Sequence, residues 1–177
     1  MRNSRLLLAQ DELPDPAAAS SLDRLVADGF LTAGEVLSTW RLHAELVTLS
    51  ACRSGLGRQS GGEGFVGFAQ AFFLAGARSL IVSLWEVDDR ATSLLMLRFY
   101  QDWLGKRPGQ DRRLSKAEAL RAAKEWLRGL DGTEVERELE SLSRGELQRR
   151  PGAVRVSGRP YGHPHYWAGF ILMGHPN

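Results

Sequence analysis

Apolar positions gather into three runs of strand character: LVTLSA at 46–51, SLIVSLW at 79–85 and YWAGFILMG at 166–174. Each is nearly continuous rather than alternating, the pattern of strands covered on both faces of a parallel sheet. A shorter run, RLLLA at 5–9, has the length of an edge strand. Between the runs the spacing turns helical. TAGEVLS opens on Thr32 with Glu35 three residues on, the reciprocal capping pattern that satisfies two orphaned amides. EGFVGFAQAFFLAG puts Phe65, Phe68, Ala69 and Phe72 on one face and stops at Gly76. DDRATSLLMLRFYQDWLG begins on acids and ends at Gly105, as the helix dipole and the C-cap favour. SKAEALRAAKEWLRGL carries a second capping box in Ser115 and Glu118, with Leu120, Ala123, Leu127 and Leu130 at helical spacing. GKRPGQDRR at 105–113 reads as a loop, and 131–160 as a charged helix followed by a turn-rich stretch. Strands alternating with helices predict an α/β layered fold with a largely parallel sheet. No repeat or linker divides the chain, so residues 1–177 are expected to form a single domain.

Composition narrows the class. At 177 residues, 43% hydrophobic and 25% charged, the chain is long enough for one sizeable core and has an ordinary globular balance. No apolar run approaches the roughly 20 residues that cross a bilayer. Asp11, Glu12 and Asp15 interrupt the apolar start before a secretory core could form, so a cytoplasmic protein without membrane partners is expected. The net charge is +2, and basic residues of the second half lie beside glutamates, as in EVERELESLSRGELQRR. That is the mark of a solvated helix face and argues against nucleic-acid binding. The one cysteine forms no intramolecular disulfide and no cysteine zinc site, in keeping with a reducing compartment.

That cysteine, Cys52, follows the run LVTLSA and precedes a glycine-rich stretch with Gly55, Gly57, Gly61 and Gly62. In open α/β sheets functional groups gather at the carboxyl ends of strands, which is where this order carries it. A nucleophilic thiol needs amides or a cation to lower its pKa from about 8.5. By itself the spacing also fits a small buried side chain. A nucleotide-binding alternative rests on GEGFVG at 62–67, with Glu86 and Asp88 about where a ribose-binding acid belongs. Against it, roughly ten residues separate the strand from Gly62, and Glu63 and Gly64 stand where a P-loop needs lysine and Ser/Thr.

LVTLSACRSGLG, GEGFVGFAQAFFLAGARSLIVSLWEVDD, ATSLLMLRFYQDWL, SKAEALRAAKEWLR and HPHYWAGFILMG follow one another as in the CHAT domain family, caspase-like proteins related to separase, which the chain resembles over nearly its whole length. The resemblance implies a caspase-like three-layer sandwich without cofactor or metal. It makes Cys52 the nucleophile of a cysteine endopeptidase. Asp89, at the end of WEVDD, matches the acid that receives a basic P1 side chain, for which paired, charge-assisted hydrogen bonds are the physical basis. Asp88 or Asp89 can equally cap the helix that follows. Glu63 matches a recurring position and is read as supporting the loop. Implied partners are a polypeptide substrate or a regulatory protein, and repeat domains such as tetratricopeptide repeats.

One departure matters. The family's histidine lies in a His-Gly motif on an earlier strand, and this chain has His43, His163, His165 and His175 but no His-Gly. Its opening NSRLLLAQ resembles the segment after that motif, so the N-terminal strands of the domain are expected to be missing and their segment becomes a further candidate partner. His43 lies nine residues before Cys52; on one strand the two would stand roughly 25–30 Å apart. His163 and His165 in HPHYW are expected to be packed or solvent-facing, and His175 to lie at the surface. Weak or no peptidase activity is therefore expected of the isolated chain, and a non-catalytic interaction module stays as the alternative.

Overall fold

A computed structural model describes residues 5–7, 30–49, 63–143 and 158–177. The fold is mixed α/β, with two small sheets and, among the described residues, five α-helices. By its internal contacts the chain divides into two compact units, Met1–Leu80 and Ile81–Asn177.

In the first unit, β1 (Arg5–Leu7) and β2 (Phe30–Thr32) pair antiparallel, with Leu6 opposite Leu31. The expected run RLLLA thus yields three strand residues, and its partner FLT is a strand that the apolar pattern did not announce. The antiparallel pairing also departs from the largely parallel sheet expected. Helix α1 (Ala33–Thr39) begins at the capping box: Glu35 N donates to Thr32 Oγ1 at 3.1 Å and Thr32 N to the Glu35 carboxylate at 2.6 Å. After it come β3 (Val47–Leu49) and α2 (Glu63–Ala75). Helices α1 and α2 pack together, burying Val36, Phe68, Ala69, Ala71 and Phe72, and the Trp40 ring stands edge-on to Phe72 at 6.0 Å. Helix α2 stops where Gly76 takes φ +114°. That turn lies against the backbone of Leu42, whose N–H donates to Ala75 O at 2.6 Å. Strand β4 (Ser79–Ser83) neighbours β3 and carries the boundary between the units.

In the second unit, β4 continues beside β5 (Phe170–Gly174), and Leu84 N donates to Gly169 O at 3.0 Å. Helix α3 (Asp89–Leu104) ends at Gly105 with φ +66°, the left-handed stop expected of it. Helix α4 (Lys116–Gly129) starts at the expected box, Glu118 N donating to Ser115 Oγ and Ser115 N to the Glu118 carboxylate. Arg112 adds a hydrogen bond at 3.1 Å; that bond first, and Ser115 after it, pull the Glu118 carboxyl down to about 2. Helix α5 (Gly132–Ser143) follows with the same reciprocal bonds between Asp131 and Glu134. Helices α3 and α4 form the main contact, with Leu94, Leu95, Phe99, Ala119, Leu120, Ala123 and Leu127 removed from water.

A buried carboxylate ties the end of α3 to the loop after it. Asp102 is 0% exposed and meets Arg98 Nε at 3.1 Å and Arg107 Nε at 2.7 Å. Its carbonyl accepts from Leu114 N at 3.1 Å and Gln110 Nε2 at 2.8 Å. At the other end of the loop Lys116, 1% exposed, reaches His175 O at 3.2 Å, and Ala117 N donates to Pro176 O at 3.1 Å.

The run YWAGFILMG becomes a strand only from Phe170. His163 and Pro164 turn it first. The His163 ring caps a 3₁₀ turn, Pro164–Tyr166, whose φ the proline presets. Trp167 N and Ala168 N both then donate back to Pro164 O, which holds the chain off the strand until Gly169.

Candidate active site

Two elements frame the sequence-predicted site. Cys52 belongs to the segment joining β3 to α2, as expected from LVTLSA and EGFVGF, and both Cys52 and the glycine-rich stretch after it lie outside the described residues. Glu63 is the first residue of α2. Of the nucleotide-binding pattern, Gly64 and Gly67 fall inside that helix.

The acids at the head of α3 have separate roles. Asp88 is the N-cap: its Oδ1 accepts from Ala91 N at 2.9 Å. Asp89 is the first helical residue; its carbonyl accepts from Ser93 Oγ, and the residue is exposed. The two alternatives left open by the sequence thus divide between neighbours, one carboxylate held by the helix and the other presented at its positive end. The exposed position of Asp89 weakens any charge-assisted pair it forms there through solvent screening.

An aromatic cluster flanks this turn, and sequence reasoning missed it. Tyr161 is buried, and its ring meets Tyr166 at 5.2 Å, edge to face. Tyr166 in turn meets the His165 ring at 5.6 Å, and His165 stacks on Trp85 at 6.4 Å and 17°. Trp85 Nε1 donates to His165 O at 2.8 Å, and its indole leaves no room for a side chain at Gly169, where a Cβ would sit 2.8 Å from the ring. Burial pushes the Tyr161 hydroxyl up to about 12, and the Asp88 carboxylate adds to the effect. The signal was present in the alternation of aromatic and histidine residues in YGHPHYW, but nothing local linked it to Trp85.

Tyr161 gives a pH prediction. Its folded pKa lies above the free value of about 10. Below pH 10 both states keep the proton and the contribution is whole; as pH rises from 10 through 12 the unfolded chain alone ionises, and stability falls. In Tyr161→Phe this part of the alkaline decline is expected to disappear. Urea midpoints between pH 9 and 11.5 measure it, and an unchanged slope would refute the assignment.

The histidines are placed by other work. His163 Nδ1 accepts from His165 N at 3.1 Å, so one lone pair of that ring serves as a cap. His165 is stacked, exposed and held through its carbonyl, and His175 Nδ1 stands 3.4 Å from Asn177 O. The packed or surface reading of these three holds. His43 is exposed in the segment before β3, so it does not lie on that strand, and its separation from Cys52 falls outside the described residues. Among the described residues no three His, Cys, Asp or Glu side chains gather as a metal site would require, and no helix is long and apolar enough to cross a membrane.

Comparison with known proteins gives a consistent picture. The family profile described as CHAT domain matches residues 1–175. Tetratricopeptide repeat protein 28 of Mus musculus is 29% identical over 168 residues, which is 95% of this chain and 5% of the mouse protein. The Homo sapiens protein of the same name is 27% identical over the same length and share. The chain therefore spans about one-twentieth of the curated relatives it matches. No solved structure matches.

Proposed function

The chain belongs to the CHAT domain family, and from that premise we propose that residues 1–177 form one caspase-like cysteine peptidase domain, a three-layer sandwich in which Cys52 is the nucleophile and Asp89 receives a basic P1 side chain. The observation that carries the reading is the division of labour at the head of α3. Asp88 satisfies the helix, and Asp89 keeps an exposed carboxylate for a substrate guanidinium. In the reaction the Cys52 thiolate attacks the scissile carbonyl, the C–N bond breaks as the amine takes up a proton, and water then hydrolyses the thioester. A group must accept the thiol proton and deliver one to the amine. These 177 residues contain no His-Gly dipeptide, and His163 is committed as a cap. We therefore expect the isolated chain to turn over slowly or not at all, with a regulatory protein or a tetratricopeptide repeat domain as partner, in the reducing cytoplasm that a lone thiol suits.

The lack of a His-Gly dipeptide in these 177 residues favours a second reading, in which the domain is a non-catalytic interaction module. Thiol alkylation separates the two. A primed Cys52 reacts with iodoacetamide near neutral pH faster than a simple thiol does, whereas an inert one resists until the chain unfolds. Robust cleavage of an arginyl reporter peptide that vanishes in Cys52→Ala would overturn the expected weakness and reveal another base. With any cleavage in hand, Asp89→Asn is expected to reduce the preference for arginine over alanine at P1 by about two- to fivefold in kcat/KM, the scale of a solvent-screened pair. An unaltered preference would remove Asp89 from the site.

A further inference from the structure

A groove of about 540 Å³ runs between α4 and β5. Its floor is apolar, with Leu120 and Leu172, and Trp167 forms a wall. Arg121, Lys124 and Arg128 line it from α4 at intervals of three and four, which puts all three on one helix face. Among the described residues Glu125 is the one acid in the lining; it stands 4.0 Å from Arg121, with both side chains more than half exposed, and such a pair is worth little.

The three cations are differently held. Arg128 lies over the Trp167 ring at 5.9 Å from its centroid, which steadies the guanidinium without neutralising it. Lys124 donates to Phe170 O at 2.6 Å, a neutral acceptor that leaves two ammonium donors over. Burial lowers the Lys124 pKa, the mark of a partly desolvated cation that an incoming anion would stabilise. Among the described residues the buried Trp167 Nε1 finds no hydrogen-bond partner. An apolar floor edged by three cations and one acid is complementary to a chain that alternates carboxylates with apolar side chains.

We propose that the groove between α4 and β5 is a docking site for an acidic peptide segment of a partner protein, with carboxylates on Arg121, Lys124 and Arg128 and a leucine-sized side chain over Leu120 and Leu172 against Trp167. Docking in this groove needs no chemistry from Cys52, so the proposal stands whether or not Cys52 is active. A polyanion without apolar groups would leave the floor uncovered, which distinguishes an acidic peptide from phosphate or nucleic acid. Seating a peptide there also fixes β5 against α4, through the strand that Lys124 already holds.

The test uses the full chain and a fluorescein-labelled twelve-residue peptide of alternating glutamate and leucine, read by fluorescence anisotropy. Two companions replace glutamate by glutamine or leucine by serine. Binding is expected for the first peptide, with at least about tenfold weakening for each companion and a further loss as salt is raised. The double variant R121E/R128E should weaken binding at least tenfold; both side chains reach solvent, and circular dichroism verifies that the fold is kept. Equal binding of the glutamine peptide, or no effect of R121E/R128E, overturns the proposal. So does displacement of the peptide by inorganic phosphate or an oligonucleotide at equal charge. Self-association in sedimentation that R121E/R128E abolishes would assign the groove to a second copy instead.

Discussion

Asp102→Ala is expected to lower the unfolding free energy by roughly 3 kcal/mol, near the low end of the cost of breaking a buried ion pair. The carboxylate is fully buried, and the substitution strips the counter-charge from Arg98 and Arg107 together. The two guanidiniums lie at 20% and 36% side-chain exposure, so they turn partly toward water and limit the loss. For a chain of this size that amounts to a melting temperature lower by about 6–12 °C. Arg107→Ala should cost less, because Arg98 continues to face the carboxylate. Urea denaturation followed at the α-helical signal measures both; a change below about 1 kcal/mol for Asp102→Ala would mean that the loop after α3 is not held by this charge.

Gly76→Ala is expected to destabilise the first unit by roughly 2–5 kcal/mol, the combined scale of backbone strain and a forced backbone displacement. Gly76 holds φ +114°, and a Cβ there would stand 2.1 Å from the carbonyl oxygen of Leu42. The obstacle is backbone, not the end of a flexible side chain. Nor can the two segments simply part, because Leu42 N is bonded to Ala75 O in the same turn. Gly109→Ala separates the causes. Gly109 has φ +74° with open space where a Cβ would go, so only the conformational cost, about 1 kcal/mol, remains. Equal losses for the two glycines in denaturant titrations would rule out the clash with Leu42.

What the sequence made legible was local. The boxes at Thr32 and Ser115, the stops at Gly76 and Gly105 and the helical cores around Phe68 and Leu127 each depend on residues within a turn or two, and all are present. The box of Asp131 and Glu134 had the same signature and was overlooked within a charged stretch. Long-range outcomes were not legible. Asp102 sits in YQDWLG like any surface acid, and its burial is made tolerable by Arg98 one turn back together with Arg107 returning on the loop. Three-residue strands such as β2 carry too few apolar positions to stand out, and the aromatic run at 166–174 conceals a turn set by His163 and Pro164. At the site, Asp88 and Asp89 were equivalent as letters. Their separation depends on backbone angles, φ −54° and ψ 134° at Asp88, that place one side chain over the helix end. For Cys52 the family alone speaks.

The packing of Trp40 on Phe72 has a use beyond stability. The chain has five tryptophans, and Trp40 is the one that falls within Met1–Leu80; Trp85, Trp103, Trp126 and Trp167 fall within Ile81–Asn177. Each unit therefore carries its own intrinsic fluorophore. A protein retaining Trp40 alone and one lacking it would report, on the same denaturant axis, whether the two halves of the polypeptide lose their structure in one cooperative step or in succession.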